Sequence, residues 1–404
     1  MKNEKITLKA LNKKIKIGSI CCGMGGFDEG LRQIGFKTVW AIDIMKEATE
    51  SFKANHPYTK VYCQDAHLIE DFTKLSDERI QGLVFGPPCQ GMSLGNDHRR
   101  MNDPRNFVYL ATLRALEQTN AEFFIFENVE GILSLNNENG ISAFEIIKKD
   151  YEQCGKGYNV AYQLIECSEV GVPQLNRKRL IMVGFRKDLN KTYIFPELTH
   201  GKGKKPLVTL KDTIWHLRNV DQTGDYYDGP YDDRLLARNR QKSWDSPFYT
   251  VVASVKNLGI HPDGGKMTYI SKNKWHIPDT CRRISVLEAK LLQTFPENYI
   301  VTGSLFKKYE QIGNAVPPKL AEFIGMPIVH YYEERLANYY NHSEKQLSLF
   351  TDNKLQIPNH YDAEYVWLNM MLKKYPDNSF YKSLLNWIMS GKKLTPKQKS
   401  FIKA

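Results

Sequence analysis

From residue 15 to residue 150, short apolar runs alternate with segments whose apolar residues recur at helical spacing, and few folds accommodate that alternation. Ile15–Ile20 reads as a strand, followed by a glycine turn and a helix over Phe27–Ile34. Thr38–Ile42 is a second strand, Met45–Ala54 a helix and Lys60–Cys63 a third strand. Gly82–Phe85 is a fourth strand, ending in Pro87-Pro88. Phe107–Thr119 is helical, Phe123–Phe126 is a strand of buried type, and Ile141–Asp150 is a helix. Val160–Cys167 and Leu180–Phe185 are strands close together in sequence. This βαβα order implies an α/β fold, a largely parallel sheet with helices on both faces. Ligands on such sheets sit at the carboxyl ends of the strands, which is where chemistry is to be sought.

From about 187 to 280 the character changes to a stretch rich in Gly, Pro, Tyr, Trp, Lys and Arg with weak periodicity, which reads as a separate loop-rich module. Helical patterns return at Ser285–Gln293 and after Pro317. The expected organisation is a catalytic domain over 1–186, the module over 187–280 and a return to the first domain over 281–335. A polar linker over 336–359, without helical or strand periodicity, then leads to a helical tail over 360–404 that contains Tyr365–Leu372 and Phe380–Met389.

The net charge is +11 over 404 residues. Such a surface attracts polyanions, nucleic acid first among them, although a solvated lysine-rich surface gives the same number. The seven cysteines are odd in number and include no CxxC pair or Cys/His grouping with zinc spacing, so no metal site and a reducing compartment are expected. Met1–Lys16 is basic and lacks the apolar core of a signal peptide, and no apolar run is long enough to span a membrane. A cytoplasmic, nucleoid-associated protein is expected.

Three strand ends carry the candidate chemistry. Cys22 to Phe27, with Gly23, Gly25 and Gly26, follows the first strand and opens a helix; glycines there let the backbone approach a ligand closely. Asp43 ends the second strand and Asp65 follows the third, and carboxylates at successive strand ends can accept from ribose hydroxyls and an adenine amino group. Together they suggest an adenosine-containing cofactor, although each Asp alone fits a solvated turn. Cys89 stands on a loop stiffened by Pro87-Pro88, a better place for a nucleophile than the apolar interior where lone cysteines usually sit. Glu127, in Glu127-Asn128-Val129, puts a carboxyl at the neighbouring strand end.

These segments resemble, in order and over roughly residues 15 to 330, the motifs of the DNA cytosine-5 methyltransferase family. Cys22 to Phe27 looks like its cofactor motif, Pro87 to Gln90 its nucleophile loop and Glu127 to Val129 its ENV motif. Gln174 to Arg179 is similar to its QxRxR element, with one extra residue. Arg283 to Pro296 and Tyr309 to Pro318 resemble its last two motifs. The resemblance implies a Rossmann-like S-adenosylmethionine-dependent methyltransferase sheet, a smaller target-recognition domain and a helical C-terminal tail. It implies S-adenosylmethionine as cofactor, held by Cys21, Cys22, Gly23, Gly25, Gly26, Phe27, Asp43, Ile44, Asp65, Ala66, Pro88, Asn314 and Ala315.

The same resemblance makes Cys89 the nucleophile at carbon 6 of a flipped-out cytosine and Glu127 its partner at N3, with Arg177 and Arg179 near the flipped nucleotide. Duplex DNA would be met by Gln90, Ser93, Arg99, Arg100, Arg105 and the Thr250-Val251 pair, while Lys204, Lys205, Arg234, Arg238, Arg240 and Lys242 supply charge for phosphates. Cys21, Ser19, Asp43 and Ile44 depart from the residues usual in the family at those positions. A tRNA cytosine-5 methyltransferase of the same fold and a non-catalytic DNA-binding module are the alternatives. Finally, Gln346 to Phe350 resembles the QLSLF peptide by which bacterial proteins dock on the DNA sliding clamp; a short apolar patch packed on the enzyme is the competing reading.

Overall fold

The computed structural model describes residues 14–87, 108–136, 140–231, 236, 240–271, 274–352 and 379–389, without the side chains of 339–352 and 385–389. The strands are β1 (Ile15–Ile20), β2 (Phe36–Asp43), β3 (Lys60–Cys63), β4 (Gly82–Phe85), β5 (Phe123–Val129), β6 (Tyr158–Glu166), the short β7 (Gln174–Leu175) and β8 (Lys178–Arg186). All but β7 form one seven-stranded sheet of order β3-β2-β1-β4-β5-β8-β6. β1 to β5 pair in parallel, and β8 runs antiparallel to both β5 and β6. The antiparallel member has a local cause. The connection from β6 to β8 contains only a 3-10 turn over Cys167–Val170 and the short β7, no crossover helix of the kind a parallel return needs.

The central strands are buried on both faces, which is why Gly82–Phe85 and Phe123–Phe126 read as continuous apolar runs without alternation. Helices α1 (Gly26–Gln33), α2 (Lys46–Asn55), α3 (Val108–Thr119) and α4 (Ala143–Gln153) connect the strands, each within a few residues of its sequence-based bounds. Phe85, Phe124, Phe126 and Tyr151 stack in the core between sheet and α4.

The loop-rich stretch carries α5 (Leu210–Ile214), β9 (Phe248–Tyr249) and the hairpin β10 (Thr268–Ser271) and β11 (Lys274–His276). It has a small cluster of its own around Leu236, Ile260 and Met267. Its Leu210, Ile214, Phe248, Val251 and Leu258 share a larger core with α6 (Val286–Leu292) and α7 (Leu305–Asn314). β9 pairs in parallel with β7, tying this stretch to the strand region that carries the two arginines.

Helix α8 spans Pro318–Asp352. The polar linker expected from 336 is therefore helix as far as Asp352, and Gln346–Phe350 lies inside it. The chain forms two compact units, Met1–Arg335 and Leu336–Ala404; the second includes α9 (Ser379–Met389), in which Leu384 is buried. The expected helix Tyr365–Leu372 lies outside the described residues. Among the described residues, no helix is long and apolar enough to cross a membrane, and no cluster of His, Cys, Asp and Glu is arranged to hold a metal ion.

Candidate active site

The carboxyl ends of β1, β2, β4 and β5 open onto one cavity of about 880 Å³. Its first wall is the glycine turn. Gly23 has φ +54°, and a Cβ built there would meet no atom within 4 Å, so the backbone is bare towards the cavity it lines. Gly26, at the start of α1, is constrained differently: a Cβ there would lie 2.1 Å from the Val316 carbonyl oxygen. The Tyr299 hydroxyl donates to the Met24 carbonyl and meets His56 Nε2 at 3.2 Å, supporting the turn from behind. Cys21, Cys22, Gly23, Gly26 and Phe27 line the cavity; Gly25 is not among its lining residues.

The second wall is acidic. Asp43 accepts from the Gly23 and Met45 amides, each at 2.8 Å, so it holds the glycine turn against β2. Burial pushes its carboxyl up from the ordinary value, opposed by those two amides. Asp65 caps a 3-10 turn by accepting from the His67 amide at 2.9 Å. Ala66 lines the cavity beside it, and Ile44 lines it with 72% of its surface exposed. The remaining wall comes from far along the chain: Glu310 and Asn314 lie in α7, and Ala315 and Val316 follow directly on it. Glu310, His67 and Gln64 were not singled out from the sequence, although Glu310 stands inside the Tyr309–Pro318 motif.

At the end of β5, Glu127 Oε1 lies 2.7 Å from Arg179 Nε, both side chains being largely buried. Sheet register explains the pairing. Glu127 sits opposite Ile181, and Arg179 is two residues from Ile181 on the same face, a diagonal neighbour within reach of a long side chain. Burial pushes the Glu127 carboxyl up, against the opposing pull of the Arg179 and Arg177 charges. Burial also raises the Cys22 thiol well above its usual value, aided by the Asp43 and Asp28 charges, so this cavity-lining cysteine is held as an unreactive thiol.

Two expected site residues have other roles. Arg177 is fully buried and does not line the cavity. Its guanidinium donates to the carbonyls of Val251 (3.0 Å), Gly313 (3.1 Å) and Ala315 (2.7 Å), and burial lowers its pKa to about 9, with the Arg179 charge adding to the effect. Arg177 is thus placed as a clamp among backbone carbonyls and not at the cavity wall. β8 starts at Lys178, so the strand alternation that aims Arg179 at Glu127 does not extend to it. Val251 is buried, with both its amide and its carbonyl bonded, and Thr250 donates its hydroxyl to the Leu175 carbonyl at 3.1 Å. Val251 is therefore part of the same clamp, with its side chain buried.

Arg240 donates to the Asn257 and Thr250 carbonyls and lies over the Tyr249 ring, with Lys242 over the same ring at 4.6 Å. Lys204 and Lys205 are exposed. Pro88, Cys89, Gln90, Ser93, Arg99, Arg100, Arg105, Arg234 and Arg238 lie outside the described residues; the chain leading to Cys89, from Phe85 to Pro87, lines the cavity.

The sequence profile of the family described as C-5 cytosine-specific DNA methylase matches residues 15–330. The chain is 34% identical over 392 residues to Type II methyltransferase M.BspRI of Lysinibacillus sphaericus, covering 86% of this chain and 89% of that protein. It is 34% identical over 338 residues to Type II methyltransferase M.NgoPII of Neisseria gonorrhoeae, covering 78% and 95%. Among solved structures, Entamoeba histolytica methyltransferase EhMeth superposes with a TM-score of 0.59 at 16% identity, over 79% of this chain and 99% of that one. S. pombe Dnmt2 methyltransferase does so with a TM-score of 0.56 at 17% identity, over 78% and 98%. These two likenesses bear on the fold, whereas the profile match and the relatives bear on the family: the chain belongs to the C-5 cytosine-specific DNA methylases and is a DNA cytosine-5 methyltransferase.

Proposed function

We propose that the protein transfers a methyl group from S-adenosylmethionine to carbon 5 of a flipped-out cytosine in duplex DNA, through a covalent Cys89 adduct. The observation that carries this reading is the cavity, in which a bare glycine turn and the carboxyls of Asp43, Asp65 and Glu310 share one space with the Glu127–Arg179 pair. The residues fit the cofactor. The cavity lining carries more carboxyl groups, Asp43, Asp65, Glu127 and Glu310, than basic ones, a composition that suits a cationic sulfonium, and Gly23 leaves open the space a side chain would fill. Asp43, Asp65, Ile44, Asn314 and Ala315 would hold the cofactor. When bound, S-adenosylmethionine supplies an electrophilic methyl group.

The chain's own residues prepare the base. The Cys89 thiolate adds to carbon 6, the carbon 5–carbon 6 electron pair shifts into the ring, and N3 takes a proton from Glu127. A carboxyl whose pKa is raised by burial suits that donation, and Arg179 receives the carboxylate that results. Carbon 5 is then nucleophilic. After alkylation the carbon 5 proton leaves to water, the double bond re-forms, the Cys89 thiolate departs, and N3 returns its proton to the Glu127 carboxylate. The target carbon is inaccessible in a stacked duplex, so the base must leave the stack first.

DNA is favoured over tRNA because the family description and the relatives' names specify DNA methylase and Type II methyltransferase, and those names support a restriction-modification setting. The stretch 187–280 is the candidate for sequence recognition, and transplanting it into a relative should carry the specificity with it. Docking of Gln346–Phe350 on a sliding clamp has only the five-residue likeness behind it, and a peptide within α8 would first have to give up its helical hydrogen bonds. The test of function is methyl transfer from labelled S-adenosylmethionine to duplex DNA and, separately, to total tRNA. Labelling of DNA together with covalent capture on 5-fluorocytosine duplexes is expected. Labelling of tRNA alone, or full turnover by Cys89→Ser, would overturn the reading.

A further inference from the structure

Four segments, around Gln174, Val251, Gln293 and Gly313, meet at one buried polar cluster. The Val251 amide donates to Gln174 Oε1 at 2.8 Å, and the Val251 carbonyl accepts from Arg177 Nη1 at 3.0 Å. Gln174 Nε2 donates to the Leu292 carbonyl (2.8 Å) and to Gln293 Oε1 (2.6 Å). Gln293 Nε2 donates to the carbonyls of Ile312 (2.7 Å) and Ala315 (2.9 Å). Arg177 Nη2 reaches Gly313 and Ala315.

The carbonyls of residues 312–315 lie at the C-terminal end of α7, where helical acceptors outnumber local donors and only Ile312 also accepts from the Ala315 amide, so side chains from elsewhere cap them and a cation favours the helix dipole. Gln174, Arg177 and Gln293 are each fully buried, so these bonds have no water to exchange with. A second, independent contact joins the same segments: a Cβ on Gly313 would lie 2.3 Å from the Ala253 amide nitrogen, so backbone packs directly on backbone. None of the three side chains lines the cavity, yet Gly313, Asn314 and Ala315 do.

We propose that Gln174, Arg177 and Gln293 are positioning residues that lock the strap Phe248–Ala253 to the cavity wall Gly313–Ala315, so that the affinity of the cofactor cavity is set from the strap. The inference rests on reading that cavity as the S-adenosylmethionine site. It follows that a change on the strap side, touching neither the cavity nor its lining, alters cofactor binding.

The test is a calorimetric titration of the whole protein with S-adenosylhomocysteine, without DNA, at a temperature where every variant is folded. Gln174→Met keeps the side-chain length and removes the acceptor for Val251 and both donated bonds; it should weaken binding by about fivefold to tenfold, the lower range of coupling between linked sites. Thr250→Val, which removes the half-buried bond to Leu175, is the milder variant should Gln174→Met fail to fold, and should weaken binding by roughly twofold to fivefold. Ile147→Ala, in the sheet core on α4, is the control that loses stability without touching the latch and should bind as wild type does. Wild-type affinity in both folded latch variants, or equal weakening in the Ile147→Ala control, would overturn the latch alone. Wild-type protein that binds no S-adenosylhomocysteine would overturn the cavity reading and the latch with it.

Discussion

Arg179 Nε stands 2.7 Å from Glu127 Oε1, while Arg177, two residues earlier, faces away into three backbone carbonyls. One arginine pairs with a carboxylate that lines the cavity and the other braces buried backbone, and the two should separate experimentally. Arg179→Lys should reduce the rate of methyl transfer with little change in thermal stability, because it alters the partner of the carboxylate in the cavity. Arg177→Met should cost about 3 kcal/mol or more of stability, since it leaves buried carbonyls without donors. Paired melting curves and turnover measurements decide it, and equal stability losses in both would contradict the division.

Glu127→Gln should retain S-adenosylhomocysteine binding and lose at least about a hundredfold in rate, the low end of what a positioned general acid supplies. An amide accepts and donates hydrogen bonds but does not deliver a proton to N3. Turnover within a few-fold of wild type would remove Glu127 from proton transfer.

Gly23→Ala and Gly26→Ala should fail in different ways. At Gly23 the methyl enters space bordering the cavity at φ +54°, at a strain of about 1 kcal/mol, so the protein should fold and bind cofactor more weakly. At Gly26 the methyl would strike the Val316 carbonyl, so stability should fall as well. Parallel melting and S-adenosylhomocysteine titrations check the contrast, which is lost if Gly23→Ala binds as wild type does.

Asp28 gives a pH signature. It is fully buried against the hydroxyls of Ser19 (3.1 Å) and Thr38 (2.7 Å), and burial raises its carboxyl to about 6. Because its folded pKa lies above the unfolded one, the folded state binds more protons between pH 4 and pH 6, and the stability Asp28 confers is lost as pH rises through that window. The loss is of order 3 kcal/mol. Asp28→Asn should therefore melt progressively higher than wild type as pH goes from 4 to 7. A constant difference across that range would show that Asp28 does not titrate there.

Much of this was legible along the chain. The bounds of β1, β3 and β4 coincide with those read from the sequence, most plainly in β4, which is buried throughout and apolar throughout, while the edge strand β3 stays partly exposed. Glu127 and the glycine turn were found because each sits at a strand end whose position the alternation already fixes. The continuation of α8 through Asp352 was missed because that stretch has no strong apolar face, and helical hydrogen bonds alone leave no periodic trace in side-chain chemistry.

The order of strands and helices, the glycine turn and the residue types at the strand ends were determined by sequence, since local backbone preference and apolar periodicity act over a few neighbouring residues. Which of two arginines faces the carboxylate, and whether Val251 meets a ligand or a clamp, was decided only in three dimensions. Those outcomes depend on sheet register and on buried donors finding acceptors across more than seventy residues of chain, as Arg177 does at Val251 and Gly313. A buried polar group must be satisfied by whatever the fold brings near it, and no spacing along the chain encodes that partner.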